Sequence, residues 1–89
     1  MRARVLVRLK PGIMDVQGAA VMRALAGLGF SELTDLRVGK VIDIDLTEST
    51  AEGARARVGE MCRQLLANPI LEDYTIETVD DLAPRGAAR

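Results

Sequence analysis

Alternation of polar and apolar positions begins almost at once. Ala3, Val5, Val7 and Leu9 fall on one side of an extended chain and Arg2, Arg4, Arg8 and Lys10 on the other, the period of a half-buried β-strand. Leu6 interrupts the basic side, either as a scattered exposed leucine or as an oligomer contact. Pro11-Gly12 ends the strand, because proline cannot donate to a ladder and glycine permits the turn. The period then changes. Val21, Met22, Leu25 and Leu28 recur at helical spacing between Gln17 and Leu28, with Asp15 or the residue after it placed to cap the start. Gly29 suits the left-handed position after the last turn, and Phe30 can fold back onto Leu25.

The segment from Leu33 to Leu46 sets the architecture. Leu36, Val38, Ile42, Ile44 and Leu46 keep one register across Gly39-Lys40. A two-residue hairpin there would oppose Leu36 to Asp43 and spoil the apolar face, whereas a three-residue loop would put β-branched Val41 at or near a position that often needs positive φ. The pattern therefore predicts one long strand bent at Gly39, with Lys40 on its apolar face, either snorkelling out at a sheet edge or reaching an acidic group or ligand. Ser49-Thr50-Ala51-Glu52 has the capping-box pattern, with the serine as cap. A second helix follows, with Ala54, Val58, Met61 and Leu65 as its apolar stripe, widened by Cys62 and Leu66, and Pro69 stops it near Ala67. Leu71 to Val79 alternates again, placing Tyr74, Ile76 and Thr78 on one face of a third strand. Residues 1–80 thus form one domain and 81–89 a flexible tail.

The order is βαβαβ, a split-βαβ arrangement related to ferredoxin-like folds. The expected fold class is α+β: a two-layer sandwich with two helices on one face of an antiparallel sheet whose long bent central strand can be counted as two. In 89 residues such a unit supports only a thin core, so self-association through the open face or a sheet edge is expected.

Composition narrows the chemistry. The chain has no histidine, which removes the commonest general base and metal ligand, and one cysteine, Cys62, which beside the helical stripe reads as a buried inert thiol. Phe30 and Tyr74 are the only aromatic residues and the net charge is −1, so neither a base-stacking sheet nor a basic field for nucleic acid is expected. No apolar stretch approaches a membrane span or a signal peptide, and a cytoplasmic location is expected. Asp43 and Asp45, alternate on one strand, could hold a divalent cation or simply face water. No nucleotide-cradling glycine loop is present, and the residues alone point to a small oligomeric binding or scaffold domain.

Three stretches in combination resemble the PurS family, the small subunit of bacterial and archaeal phosphoribosylformylglycinamidine (FGAM) synthase. They are Val7 to Gly18, which contains Leu9-Lys10 and Asp15-Val16-Gln17-Gly18; Val38-Gly39-Lys40; and Met61 to Tyr74, which contains Asn68-Pro69-Ile70-Leu71-Glu72-Asp73-Tyr74. Val16 stands where the family usually has proline, and Leu71 where it usually has a β-branched residue. The resemblance implies a noncatalytic subunit of purine biosynthesis that forms a homodimer or higher homo-oligomer. It would bridge the large synthetase subunit (PurL) and the glutaminase subunit (PurQ) and help ammonia pass between them, with no nucleic acid or membrane involved. ATP, magnesium and glutamine would be used by the complex, and no cofactor or metal would be bound by this subunit. It also implies partner contacts at Lys10, Asp15, Gln17, Gly18, Lys40, Asn68, Glu72 and Tyr74, of which Asp15, Asn68 and Tyr74 also have plain structural readings as helix cap, helix stop and core filler. The rival expectations are a stand-alone ferredoxin-like ligand-sensing domain and, less in keeping with the residues, a small self-contained enzyme.

Overall fold

A computed structural model of the chain, which describes residues 1–78, has the expected α+β order. Strand β1 (Arg2–Leu9) lies in the middle of a three-stranded sheet, with β2 (Lys40–Asp45) and β3 (Glu72–Thr78) antiparallel on either side. Alternation along β1 decides the two faces. Ala3, Val5 and Val7 are flanked by Ile44, Ile42 and Lys40 on β2 and by Thr78, Ile76 and Tyr74 on β3. Helix α2 (Ala51–Met61) covers this side, with Ala54, Val58 and the following Cys62 fully buried. The reverse face carries a charged ladder in which Arg2 Nε and Arg4 Nε each lie 2.8 Å from Oδ1 of Asp45 and Asp43 opposite.

Helix α1 (Val16–Gly27) is closed at both ends by the sequence signals. The Asp15 carboxylate accepts from the Gly18 amide, and Gly29 takes φ +103° while its amide and that of Phe30 donate to Ala26 and Leu25. Gly18 is the only buried residue of α1. The layer over the sheet is therefore built mainly by α2, and the expected pair of covering helices is unequal.

Three details differ from the sequence expectation. The central strand is β1, and the predicted long strand forms ladder only from Lys40, at the sheet's margin. Upstream of it the Val38 amide donates to the Asp15 side chain rather than to a neighbouring strand. Thr50, not Ser49, caps α2: its backbone is extended and its hydroxyl accepts from the Gly53 amide at 3.0 Å, which leaves Glu52 in the first turn, where its charge favours the helix dipole. Third, α2 passes into a π-helical turn (Cys62–Leu66) in which the Ala67 amide reaches back five residues to the Cys62 carbonyl. The wider turn shifts the stripe, so that Ala54, Val58 and Cys62 face the core while Leu65 is 84% exposed. The expected end of the third strand at Val79 and the tail 81–89 lie outside the described residues.

Gly39 marks where β2 leaves the ladder. A Cβ there would come within 2.7 Å of the Val7 carbonyl oxygen and 2.9 Å of Arg8 Cγ. Gly39→Ala is expected to cost about 1–3 kcal/mol through forced backbone displacement, measured by urea unfolding; an unchanged midpoint would show that this close approach is not needed.

Candidate partner interface

The first two motif stretches meet at a knot of backbone bonds. Gly12 has φ +87°, allowing the chain after Pro11 to fold back so that the Ile13 amide donates to the Lys10 carbonyl. Arg37 locks this loop from 24 to 27 residues away, its guanidinium donating to the Ile13 carbonyl at 3.0 Å and the Lys10 carbonyl at 3.3 Å. Asp15, only 8% exposed, splits its carboxylate between the Gly18 amide at 2.8 Å and the Val38 amide at 2.6 Å. The Val38 bond, then the Gly18 bond, hold this carboxyl below the usual carboxylate range, against the opposing effect of its burial and with a smaller contribution from the Arg37 charge. Gly18 lies beneath it because a Cβ would collide with Asp15 and with the Leu36 carbonyl.

The third stretch forms a second knot. Asn68 Oδ1 accepts from the Ile70 amide at 2.9 Å, the Asn68 backbone amide donates to Glu72 Oε1 at 2.7 Å, and the Asn68 backbone carbonyl accepts from the Glu72 amide at 2.8 Å. Leu71 then accepts from the Lys10 amide at 2.8 Å, which ties this turn to the end of β1.

Between the two knots a cleft of about 230 Å³ opens, lined among others by Arg8, Gln17, Gly39, Lys40 and Glu72. Each of the three motif stretches contributes to it. Gln17, Lys40 and Glu72 are brought together there; Asp15 and Gly18 brace the wall at Val38, and Asn68 braces Glu72. Lys10 enters through its backbone, and Tyr74 stands outside the cleft, opposite Val7 on β3 and near Arg63. Sequence reasoning missed Arg37, whose bonds span too many residues to leave a local signal, and Arg8, which it placed only in a basic row.

The cleft offers cations, an amide and a carboxylate, groups suited to charge-assisted recognition of another protein's polar side chains or chain end. Asp43 and Asp45 are engaged by Arg4 and Arg2, and among the described residues no group of three or more His, Cys, Asp or Glu is placed to hold a metal ion. Cys62 is buried, and burial pushes its thiol up from the ordinary range, against a small opposing effect of Arg63. Among the described residues no helix is long and apolar enough to cross a membrane.

Comparison with known proteins agrees with the motif reading. The family profile of PurS, phosphoribosylformylglycinamidine (FGAM) synthase, matches residues 2–80. The phosphoribosylformylglycinamidine synthase subunit PurS of Methanocaldococcus jannaschii is 38% identical over 76 residues, covering 85% of this chain and 92% of the relative. That of Bacillus subtilis is 37% identical over 82 residues, covering 92% and 96%. The crystal structure of the M. jannaschii protein superposes with a TM-score of 0.79 at 39% identity, covering 85% of this chain and 92% of the other. A chain of the PurLQS structure from Thermotoga maritima gives a TM-score of 0.79 at 26% identity, covering 88% and 95%. With a profile match over nearly the whole domain and relatives covered almost end to end, the chain belongs to the PurS family of phosphoribosylformylglycinamidine synthase subunits.

Proposed function

We propose that the chain is the noncatalytic small subunit of FGAM synthase. It bridges the glutaminase and synthetase subunits so that neutral ammonia passes between them for the ATP-dependent amidation of formylglycinamide ribonucleotide in the cytoplasm. The observation that carries this reading is the likeness to a chain of the PurLQS structure across nearly its whole length. ATP, magnesium and glutamine are then bound by the partner subunits, and the contribution of this chain is positioning. The cleft at Gln17, Lys40 and Glu72, braced on both sides by side chain-to-backbone bonds, is the surface best suited to meet a partner.

The functional unit is a homo-oligomer. Support comes from the core, whose buried apolar members are Ala3, Val5, Val7, Ala54, Val58, Cys62 and Ala67. None is larger than valine; every leucine, isoleucine, methionine and phenylalanine among the described residues keeps part of its surface in water. The reverse face of the sheet, with its Arg–Asp ladder, is built for solvent. At the sheet margins, Arg55 occupies the Ile76 carbonyl of β3 at 2.7 Å, which leaves the outer edge of β2 as the better place for a second copy.

The test is an assay of the reconstituted synthase with and without this chain. Omission should abolish glutamine-dependent product formation while most of the synthesis fed by high external ammonia survives. Equal loss of both would overturn the transfer role and indicate activation of the synthetase instead.

A further inference from the structure

The reverse face of the sheet carries a row of arginines that is only partly served. Arg2 and Arg4 stand opposite Asp45 and Asp43 on β2, and each guanidinium is held by that carboxylate at 2.8 Å. One residue past the last paired rung, Val7 with Lys40, the same register sets Arg8 opposite Gly39. No carboxylate of this chain can stand at that position, because a Cβ on Gly39 would come within 2.7 Å of the Val7 carbonyl oxygen. Arg8 Cγ lies 2.9 Å from the same Cβ position, so the side chain leans toward β2. Asp73, opposite Arg8 on β3, lines neither of the two hollows that meet beside Gly39. Arg8 and Lys40 border both hollows, are exposed, and make no side-chain ion pair or hydrogen bond among the described residues.

We infer that Arg8, with Lys40 beside it, receives the carboxylate of an aspartate or glutamate from one of the two larger subunits, at the rung that Gly39 leaves empty. The inference rests on the bridging role proposed above and names the chemistry by which the cleft recognises its partner. Arg2 and Arg4 supply the template within the same sheet, each an arginine of β1 taking a carboxylate from the β2 side. Glu72 on the cleft wall selects against a phosphate dianion, which its charge repels about twice as strongly as a single carboxylate. The cleft, about 230 Å³, is also smaller than the roughly 300–1,000 Å³ of small-molecule pockets. Beside Arg8, Leu6 and Val41 face each other across the second hollow, and Val41 is 58% exposed. They offer an aliphatic strip to a nonpolar neighbour of the incoming acidic residue.

The test is carried out on the assembled synthase with a water-soluble carbodiimide, which activates carboxyl groups. An amine in contact with an activated carboxyl attacks its carbon; an amide bond forms, the carboxyl oxygen leaves on the urea and the amine gives up a proton. Lys40 Nζ should thereby be joined to an aspartate or glutamate of a larger subunit, identified by mass spectrometry, and Lys40→Arg should abolish that product. Arg8→Ala should reduce it and weaken binding of this chain to the larger subunits by about tenfold. Arg8→Lys, which keeps the charge and loses the planar fork, should recover part of that binding. Each variant should keep the wild-type circular dichroism spectrum, since neither side chain is bonded within the described fold. Lys40 joined only to Glu72 of its own chain or to a second copy, or wild-type affinity in Arg8→Ala, would overturn the inference while the assembled complex leaves the bridging reading intact. Failure of the wild-type chain to bind the larger subunits would overturn both.

Discussion

Alanine at position 15 is expected to lower the thermal midpoint by roughly 10 °C, and asparagine by about half as much, measured by differential scanning calorimetry. The alanine variant leaves the amides of Gly18 and Val38 without their acceptor; asparagine keeps one carbonyl oxygen for one of them. The pH dependence separates charge from geometry. The folded-state carboxyl of Asp15 is held below its unfolded value of about 3.9, first by the Val38 amide and then by the Gly18 amide. Its contribution is therefore complete above that unfolded value and is lost as the pH falls through the folded one. Wild-type stability should fall more steeply than that of Asp15→Asn as the pH drops below about 4. Glu60, also held low by its bonds to Arg63 and Gln64, adds an acid-side loss common to both proteins. Parallel profiles for the two would show that Asp15 carries no special share.

Val58→Asp and Leu65→Lys, two substitutions on what the sequence presents as a single helical stripe, should have opposite outcomes. Val58 is completely buried in one cluster with Ala3, Val5 and Val7, so an aspartate there places an unpaired charge in the core under α2. Such a burial costs on the order of 3–5 kcal/mol, comparable to the lower end of total domain stability, and the variant should be largely unfolded at 25 °C by circular dichroism. Leu65 lies within the π-helical turn and faces outward, so its substitution leaves the secondary structure unchanged. A folded Val58→Asp protein would contradict the packing described for α2.

Period-2 and period-3.6 patterns made most of this fold legible before any coordinates. The alternation of Ala3, Val5 and Val7, the Tyr74–Ile76–Thr78 face and the Gly29 cap all appear where the residues place them. What the sequence concealed were features set by contacts distant in the chain. The upstream half of the predicted long strand has apolar alternation but its Val38 amide is taken by Asp15, 23 residues away. The π-helical turn has no local signature, and its single extra residue is enough to turn Leu65 from core to surface. The thin core, by contrast, was visible in chain length, and the structure gives it a specific form in a core of alanine, valine and cysteine. At the cleft, Asp15 and Asn68 fulfil their structural readings and also brace its walls at Val38 and Glu72.

The central claim is that this chain joins the glutaminase and synthetase subunits. Size-exclusion chromatography with light-scattering detection on purified components, with ATP, magnesium and glutamine present, tests it most directly. The account predicts that the two larger subunits migrate separately until this chain is added and then move as one complex containing it. Association of the two larger subunits in its absence, with this chain left outside the complex, would contradict the account.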